Sequence, residues 1–576
     1  MNVMCGIAGI VGTQDQTLVM RMMDSLRHRG PDGIGYCWRS NVHLGAARLS
    51  IIDPDAGLQP LYNETGELCI VFNGEIYNHH KLRTDLKRKG HIFTTETDTE
   101  VVLHLYEEMG DDCVHHLHGM FAFAILDGER LFLARDRYGI KPLYYTFLPE
   151  KQLFLFASEI KGILQCPEYT PRLDMQTLAD WIALNHPVGT ETFFEGVRSL
   201  ATGSTMSIRW DQQITISEPR SYFTPHFIRD KDISLAEALE VLEAVLRNSV
   251  EAHLAADVDI GFTLSGGLDS TLLALLGHEY QSRPIFTFSV ADGEHHPDLL
   301  QAQSVAHMIG SSHQSVVISF DEYLAAIPGC ATAEEQPISL SGLPAYFLCG
   351  KIAHQVKACL LGEGADELFG GYREYLDREF KLSRIRMRTP LLKQLGVSPS
   401  DRALNLIERL SSSPPFDQYL QSTFEMNLSD PLERHHLNIF DKYGMAAGVE
   451  MRVPYLDDSL LELVNQFPLR HLVRRDLGIT KYILRHLCLR RFGYDVTDVV
   501  LRRKESFPSV GMRLEQRFDR LCDEILPDDY LTQHELGFCF KRKRSLLLFE
   551  LFYEIFMVHR GDGKTVGSIL SFLKSR

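Results

Sequence analysis

Two short runs in the chain have the residue types and spacing that nucleotide chemistry needs. The first is Ser265-Gly-Gly-Leu-Asp-Ser270, placed between an apolar run at 258–264 and a helical pattern at 268–277. Gly266 and Gly267 let a backbone approach an anion closely, and the start of a helix offers free N–H groups with positive dipole character. Asp269 adds a hard carboxylate oxygen, the ligand type that Mg²⁺ accepts while sharing a phosphate. The loop is not a Walker loop, because Gly-x₄-Gly-Lys-Ser/Thr is absent. The second run, Gly362-Glu-Gly-Ala-Asp-Glu-Leu-Phe-Gly-Gly-Tyr372, follows another apolar segment at 358–361. An isolated Gly-Gly pair would only cap a helix; a six-residue polar run directly after a strand does more.

These runs need elements that hold them together. A capping box, Ser234-Leu-Ala-Glu237, opens an amphipathic helix that runs to about Leu254. Strands at 258–264, 284–290, 314–320 and 357–361 then alternate with helices at 268–277 and 298–309. That alternation predicts a doubly wound parallel sheet, whose ligands bind at the carboxyl ends of the strands. Beyond Gly371 the pattern is mostly helical. Before it, short apolar runs at 5–11, 68–72, 120–126, 130–134, 142–147 and 153–157 are bounded by Gly, Asn and Asp and read as strands of layered sheets. Residues 204–232 have strand-like ends, Pro219 and Pro225, and no strong periodicity, and read as a domain junction.

The Ser265–Ser270 run matches the pyrophosphate-binding loop of ATP pyrophosphatases. With the Gly362 segment, Glu450-Met-Arg-Val-Pro-Tyr-Leu-Asp457 and Lys481-Tyr-Ile-Leu-Arg485, it resembles the synthetase domain of the glutamine-hydrolysing asparagine synthetase family. The resemblance implies an ATP site made by Leu264, Ser265, Gly266, Gly267, Leu268, Asp269, Ser270, Val290, Leu361 and Gly362. It implies that Asp269 and Asp366 hold Mg²⁺, that Glu363 contacts an acyl-adenylate, and that Lys504 meets pyrophosphate as a fixed positive charge.

The N-terminal part resembles a class II glutamine amidotransferase, through Cys5-Gly-Ile-Ala-Gly, Arg27-His-Arg-Gly-Pro-Asp32, Arg48-Leu-Ser-Ile-Ile52, Asn73-Gly-Glu-Ile-Tyr-Asn78, Asp98 and Ala157-Ser-Glu-Ile-Lys161. In that class a cysteine is the first residue of the mature chain. A free α-amino group, with a pKa of about 7.7–8.0, can take the thiol proton where an internal amide cannot. Here Met1–Met4 precede Cys5, so the mechanism expects initiation at Met4 with removal of that methionine, or cleavage of a short leader. The resemblance implies glutamine binding by Arg48, Leu49, Ser50, Ile51, Ile52, Asn73, Gly74, Glu75 and Asp98. Arg48 would take the α-carboxylate and Asp98 the α-ammonium, while the Asn73 amide and Gly74 N–H would form the oxyanion hole.

The expected fold is therefore α/β. A layered αββα Ntn-hydrolase-type domain over 5–210 precedes a doubly wound parallel-sheet ATP-pyrophosphatase domain over 234–560, with a mostly helical C-terminal part. A length of 576 residues exceeds one hydrophobic core and suits two domains. A net charge of −17 disfavours broad nucleic-acid binding, and 44% hydrophobic residues argue against disorder. Eleven cysteines without a Cys-x-x-Cys spacing suit a reducing cytoplasm rather than a disulfide framework. No apolar run reaches membrane-spanning length, and no secretory signal is visible. The expected partners are glutamine, ATP and a carboxylate acceptor, with a homodimer as an assembly the resemblance allows.

Two other features carry less. Cys113-Val-His115-His116-Leu-His118 has the look of a metal cluster, but reads as structural and surface residues. Lys541–Arg544 ahead of an apolar stripe reads as a solvated cap on a domain-edge helix. The acceptor stays open. Aspartate is the commonest in the family, but aspartate-using relatives of one type carry Thr-Thr-Ile-Arg-Ala-Ser where this chain has Pro337-Ile-Ser-Leu-Ser-Gly342. Other carboxylates on cell-wall precursors, sugars or natural products remain alternatives. A carboxylate-activating cyclase is a further alternative, opposed by Cys5, Arg48, Asn73 and Asp98.

Overall fold

The computed structural model describes residues 5–576 except 31, 49–50, 54–56, 226, 228–231, 413–414 and 503–509. Lys504, Leu49 and Ser50 therefore lie outside the described residues.

The N-terminal part is built from two facing antiparallel sheets. From edge to edge the first runs Val197–Ser199, Tyr144–Leu148, Leu153–Ala157, Gly6–Val11, Val42–Arg48 and Gly33–Arg39. The second runs Ile214–Ile216, Ser204–Trp210, Arg130–Arg135, Gly119–Asp127, Leu68–Ile76 and Leu61–Tyr62. Strand alternation explains the layering, because successive side chains point to opposite faces. Ile7 and Val11 join Val71, Ala122 and Ala124 in the core between the sheets. Ala8 and Ile10 turn outward onto Leu18, Val19 and Met22 of the helix Gln16–Ser25. On the far side, Ile70, Phe72, Phe121 and Phe123 pack on Val101, Val102 and Leu105 of the helix Asp98–Met109. The result is the αββα stack.

The C-terminal part is organised by a five-stranded, wholly parallel sheet in the order Ser312–Val317, Phe286–Ala291, Ile260–Thr263, Ala358–Leu360, Glu450–Arg452. Strand order reverses between Ile260–Thr263 and Ala358–Leu360, so a crevice opens at their carboxyl ends, the place where such sheets bind ligands. Both glycine-rich runs emerge there. The capping box forms: Ser234 Oγ accepts from Glu237 N at 3.2 Å and the Glu237 carboxylate accepts from Ser234 N at 3.0 Å, opening the helix Leu235–His253.

Two boundaries differ from the sequence reading. Residues 204–221 are not a junction. Ser204–Trp210 is an inner strand that buries Met206 and Ile208 between the sheets, and Ile214–Ile216 and Arg220–Ser221 pair with it. The N-terminal sheet thus continues past residue 210; its period-2 pattern is short and interrupted by turns, which hides it. The strand expected at 314–320 lies at Ser312–Val317, because Ser319 and Glu322 form a second capping box that starts the helix Phe320–Glu334. Among the described residues no helix is long and apolar enough to cross a membrane, and the eleven cysteines are free thiols.

Candidate active sites

The first site is a narrow pocket of about 30 Å³ in the N-terminal part, lined by Cys5, Arg48, Ile51, Ile52, Asn73, Gly74, Glu75 and Asp98. Four sequence-distant segments meet there because Cys5 leads into a central strand of the first sheet while Asn73 to Glu75 lie on a strand of the second. The Arg48 guanidinium donates to the carbonyls of Ile52 and Asp53, at 3.2 and 2.7 Å, which aims a buried cation along the pocket wall. Asn73 Nδ2 is buried and has no hydrogen-bond partner among the described residues, a donor held ready for an incoming acceptor. Asp98 starts its helix and accepts from Ile76 N at 2.9 Å. Burial pushes its carboxyl up to about 6, with the charge of Glu450 adding to the rise.

Sequence reasoning gave no site role to several residues of this pocket. Gln59 Nε2 lies 4.0 Å from Cys5 Sγ, and Thr97 and Thr99 flank Asp98. Glu450 reaches the same pocket from the edge strand of the parallel sheet. It belongs to a buried ion chain across the domain boundary. Arg452 pairs with Glu450 at 2.7 Å and with Glu75 at 3.0 Å, and its guanidinium also donates to the carbonyls of His253 and Ala255, both at 2.8 Å. Glu75 is wholly buried; burial drives its carboxyl up, against the pull of Arg452. Further along the interface Arg29 bridges Glu159 at 2.6 Å and Asp441 at 2.9 Å, and Lys141 meets Asp441 at 3.3 Å. Charges this deeply desolvated are tolerated only when paired. The boundary between the domains thus carries a buried, paired ionic cluster beside apolar contacts such as Phe194 on Phe552 and Phe556.

The second site is a cleft of about 390 Å³ at the carboxyl ends of the parallel strands. Leu264, Ser265, Gly267, Leu268, Asp269, Ser270, Val290, Leu361, Gly362, Glu363 and Asp366 all line it. Gly266 does not: it turns the loop at φ +72° beside the helix Pro297–Ile309, where a Cβ would sit 2.9 Å from the Asp298 carbonyl. The loop holds its own shape, with Ser265 N donating to Ser270 Oγ at 3.1 Å and Gly267 N to Ser265 Oγ at 3.3 Å. The helix Leu268–Glu279 then starts with its N-terminus toward the cleft.

Lys481 was quoted in a motif but given no site role, and it is central here. Its ammonium lies 2.5 Å from Asp269 and 2.6 Å from Asp366, tying the two glycine-rich runs together. It does so from a left-handed backbone, φ +50°, which a long side chain adopts only under constraint. Gly371 must be glycine, since a Cβ would lie 1.6 Å from Asp366 Oδ1. Asp269 Oδ1 is buried without a hydrogen-bond partner among the described residues. Two carboxylates, of which Asp269 keeps an unsatisfied oxygen, are a donor set that fits Mg²⁺. On the opposite wall Glu363 faces His436 Nδ1 at 3.7 Å, and Tyr372 donates to Glu367 at 2.5 Å. Burial raises the Glu367 carboxyl.

The discounted features stay discounted. Cys113 is buried while His115, His116 and His118 are exposed, and these residues form no metal-ligating group among the described residues. Arg542 and Arg544 are paired with Asp519 and Glu515.

A glutamine amidotransferase domain model matches residues 4–223, and an asparagine synthase model matches residues 241–561. A chain carrying both is an enzyme of the amidotransferase/ligase class, joining a glutamine-hydrolysing unit to an ATP-using synthase. Asparagine synthetase [glutamine-hydrolyzing] 1 of Bacillus subtilis is 31% identical over 564 residues, covering 88% of this chain and 87% of its own. A putative asparagine synthetase of Mycobacterium tuberculosis is 31% identical over 641 residues, covering 96% of each chain. Asparagine synthetase B of Escherichia coli is 28% identical over 583 residues, covering 96% and 91%. The chain belongs to the glutamine-hydrolysing asparagine synthetase family.

Proposed function

We propose that this enzyme amidates a carboxylate, aspartate to asparagine in the first instance, using ATP and the amide nitrogen of glutamine. The observation that carries the reading is the convergence of Cys5, Arg48, Asn73, Gly74 and Asp98 in one pocket, with Glu450 of the synthase part in its wall. Arg48 binds the glutamine α-carboxylate and Asp98 its α-ammonium. The Cys5 thiolate attacks the side-chain amide once its own α-amino group has taken the proton. Asn73 Nδ2 and Gly74 N–H receive the oxyanion, and release of ammonia leaves a thioester that water hydrolyses.

In the cleft, Leu264, Val290 and Gly362 seat the nucleoside, and the Ser265–Ser270 loop with its helix N-terminus receives the pyrophosphate. Asp269 and Asp366 would hold Mg²⁺, which when bound supplies charge neutralisation between the phosphates. Lys481 orients both carboxylates, Lys504 balances the leaving pyrophosphate, and Glu363 faces the acyl-adenylate. Ammonia crossing from the first pocket displaces AMP, and the packed interface keeps water from protonating it. We place the reaction in the cytoplasm, without nucleic-acid or membrane partners, in keeping with the acidic charge; a homodimer is compatible with both sites, each built from one chain.

One observation favours a different acceptor as a second reading. Pro337–Ser341, which replaces the arginine-bearing stretch of aspartate-using relatives, lines a separate cavity of about 520 Å³ with Trp181, Phe549 and Arg544. His435 in its lining adjoins His436 in the nucleotide cleft, so the space suits the tail of a carboxylate larger than aspartate whose carboxyl reaches that cleft. The test is pyrophosphate release with glutamine, ATP and a panel of acids. Turnover with aspartate supports the first reading; failure with aspartate but turnover with a bulkier acid replaces it with the second.

A further inference from the structure

Outside both sites, four side chains from three segments of the glutaminase part converge on one point. Glu64 stands in the turn between Leu61–Tyr62 and Leu68–Ile76, His91 in the segment before the helix Asp98–Met109, and His104 and Glu107 on that helix. Their ligand atoms all lie within 4.8 Å of one another. Glu107 Oε2 is 2.7 Å from His104 Nδ1 and 3.5 Å from His91 Nδ1. Glu64 faces both rings through different oxygens, Oε1 at 3.9 Å from His91 Nδ1 and Oε2 at 3.7 Å from His104 Nδ1, so either oxygen is placed to turn inward. A tetrahedral ion with bonds near 2.0–2.1 Å holds its ligand atoms about 3.4 Å apart, so these separations scatter around the edges of such a tetrahedron.

The surroundings are those of a metal site as well. The distal nitrogens of both imidazoles face carboxylates: His91 Nε2 meets Glu108 at 3.0 Å, and His104 Nε2 lies 3.8 Å from Glu100. The Glu108 contact is of the kind that fixes ring orientation and raises ligand basicity, whereas the separation at His104 Nε2 is longer than a hydrogen bond. Asn63 Nδ2 donates to the other oxygen of Glu107 at 2.7 Å, which turns Oε2 inward. Four carboxylates, Glu64, Glu100, Glu107 and Glu108, surround two imidazoles and one ammonium, that of Lys89 on Glu108. A divalent cation offsets that excess of negative charge.

We propose that Glu64, His91, His104 and Glu107 form a structural Zn²⁺ site that fastens residues 91–97 to the helix Asp98–Met109. Imidazole and carboxylate donors in tetrahedral array suit Zn²⁺ over Mg²⁺ or Ca²⁺, which prefer all-oxygen shells of higher coordination. The staple holds the helix at His104, six residues or just under two turns from Asp98, and so steadies the wall of the first pocket that Thr97 and Asp98 form. The four ligands are spread over 44 positions, 64 to 107, and follow no short spacing rule.

The test uses the full chain with Cys5→Ala, so that the active-site thiol does not bind metal. Chelator-stripped protein is titrated with Zn²⁺ against a chromophoric competitor, and the Co²⁺ form is read by its visible ligand-field bands. The expected result is one equivalent with a tetrahedral Co²⁺ spectrum and a rise in melting temperature on adding Zn²⁺, since the ion binds only the folded chain. His91→Ala, at a half-open edge of the cluster, and Glu107→Gln should each weaken binding by at least about 10–100-fold and lose the spectrum. His115→Ala with His116→Ala should change neither. Equal binding by the parent and His91→Ala overturns the proposal, as does the absence of any equivalent above the surface-histidine background.

Discussion

Arg452→Met tests the coupling of the two domains most directly. The substitution keeps the volume of the stem and removes a cation that makes four short contacts, two to the carboxylates of Glu450 and Glu75 and two to backbone carbonyls. Glu75, Glu450 and His253 are buried, so Glu75 loses its counter-ion outright and Glu450 is left with Lys141 at 4.0 Å alone. Losing one member of a buried ion pair costs about 3–5 kcal/mol. Because Glu75 follows Gly74 and Glu450 lines the glutamine pocket, part of that cost appears as a displaced pocket wall. The assay pairs urea unfolding with two half-reactions, glutamine hydrolysis and ATP–pyrophosphate exchange. The expected outcome is an earlier unfolding midpoint and a raised KM for glutamine, although Arg452 lies in the synthase part. Adding Glu75→Gln to Arg452→Met should recover about 1–3 kcal/mol, since the orphaned charge is then gone. Wild-type stability and an unchanged glutamine KM in Arg452→Met would refute the reasoning, as would a double variant no better than the single one.

In the proposed mechanism glutamine binding needs Asp98 charged, and burial pushes its carboxyl up to about 6, so kcat/KM for glutamine should fall as pH drops through about 6, on top of a separate limb at about 7.7–8.0 from the Cys5 α-amino base. Asp98→Asn should lose the lower limb of the pH profile while keeping a high KM. Cys5→Ala should abolish glutamine hydrolysis yet leave ATP–pyrophosphate exchange and ammonia-dependent amidation, measured with ammonium in place of glutamine. Lys481→Met leaves Asp269 and Asp366 without their shared cation, and exchange should drop by about 10²–10³-fold with glutamine hydrolysis intact. Gly371→Ala drives a methyl into Asp366 Oδ1 and should damage the same half-reaction, read by the same exchange assay.

Much of the fold was legible because strand and helix alternation after Ser234 is regular and its helix starts are marked by side chains. The nucleotide cleft was legible for a related reason: a ligand loop in a parallel sheet is continuous in sequence, so Ser265–Ser270 carries its own context. Ser204–Trp210 was missed because one half-buried strand between turns has too few alternations to stand out. That Cys5, Arg48, Asn73 and Asp98 line one pocket was legible because their motifs are local. Its remaining wall was not, since Glu450 arrives from another sheet and no spacing within a chain encodes that contact. Lys481 was hidden for a comparable reason. A lysine after a threonine says nothing of the left-handed backbone that aims it between two distant aspartates.

The edge strand Glu450–Arg452 has a consequence for how portable each half of this molecule is. A recombination joint placed anywhere between the two domains would separate the glutamine pocket from a piece of itself. Exchanging the N-terminal part with that of a relative therefore transfers function only if Glu75 meets a matching Arg–Glu pair on the receiving side. The two halves are bound to change together, and a lineage that discarded glutamine hydrolysis would be free to lose Arg452 soon afterwards. The wall of the first pocket and the rim of the parallel sheet are in this way held by the same three side chains, Glu75, Arg452 and Glu450.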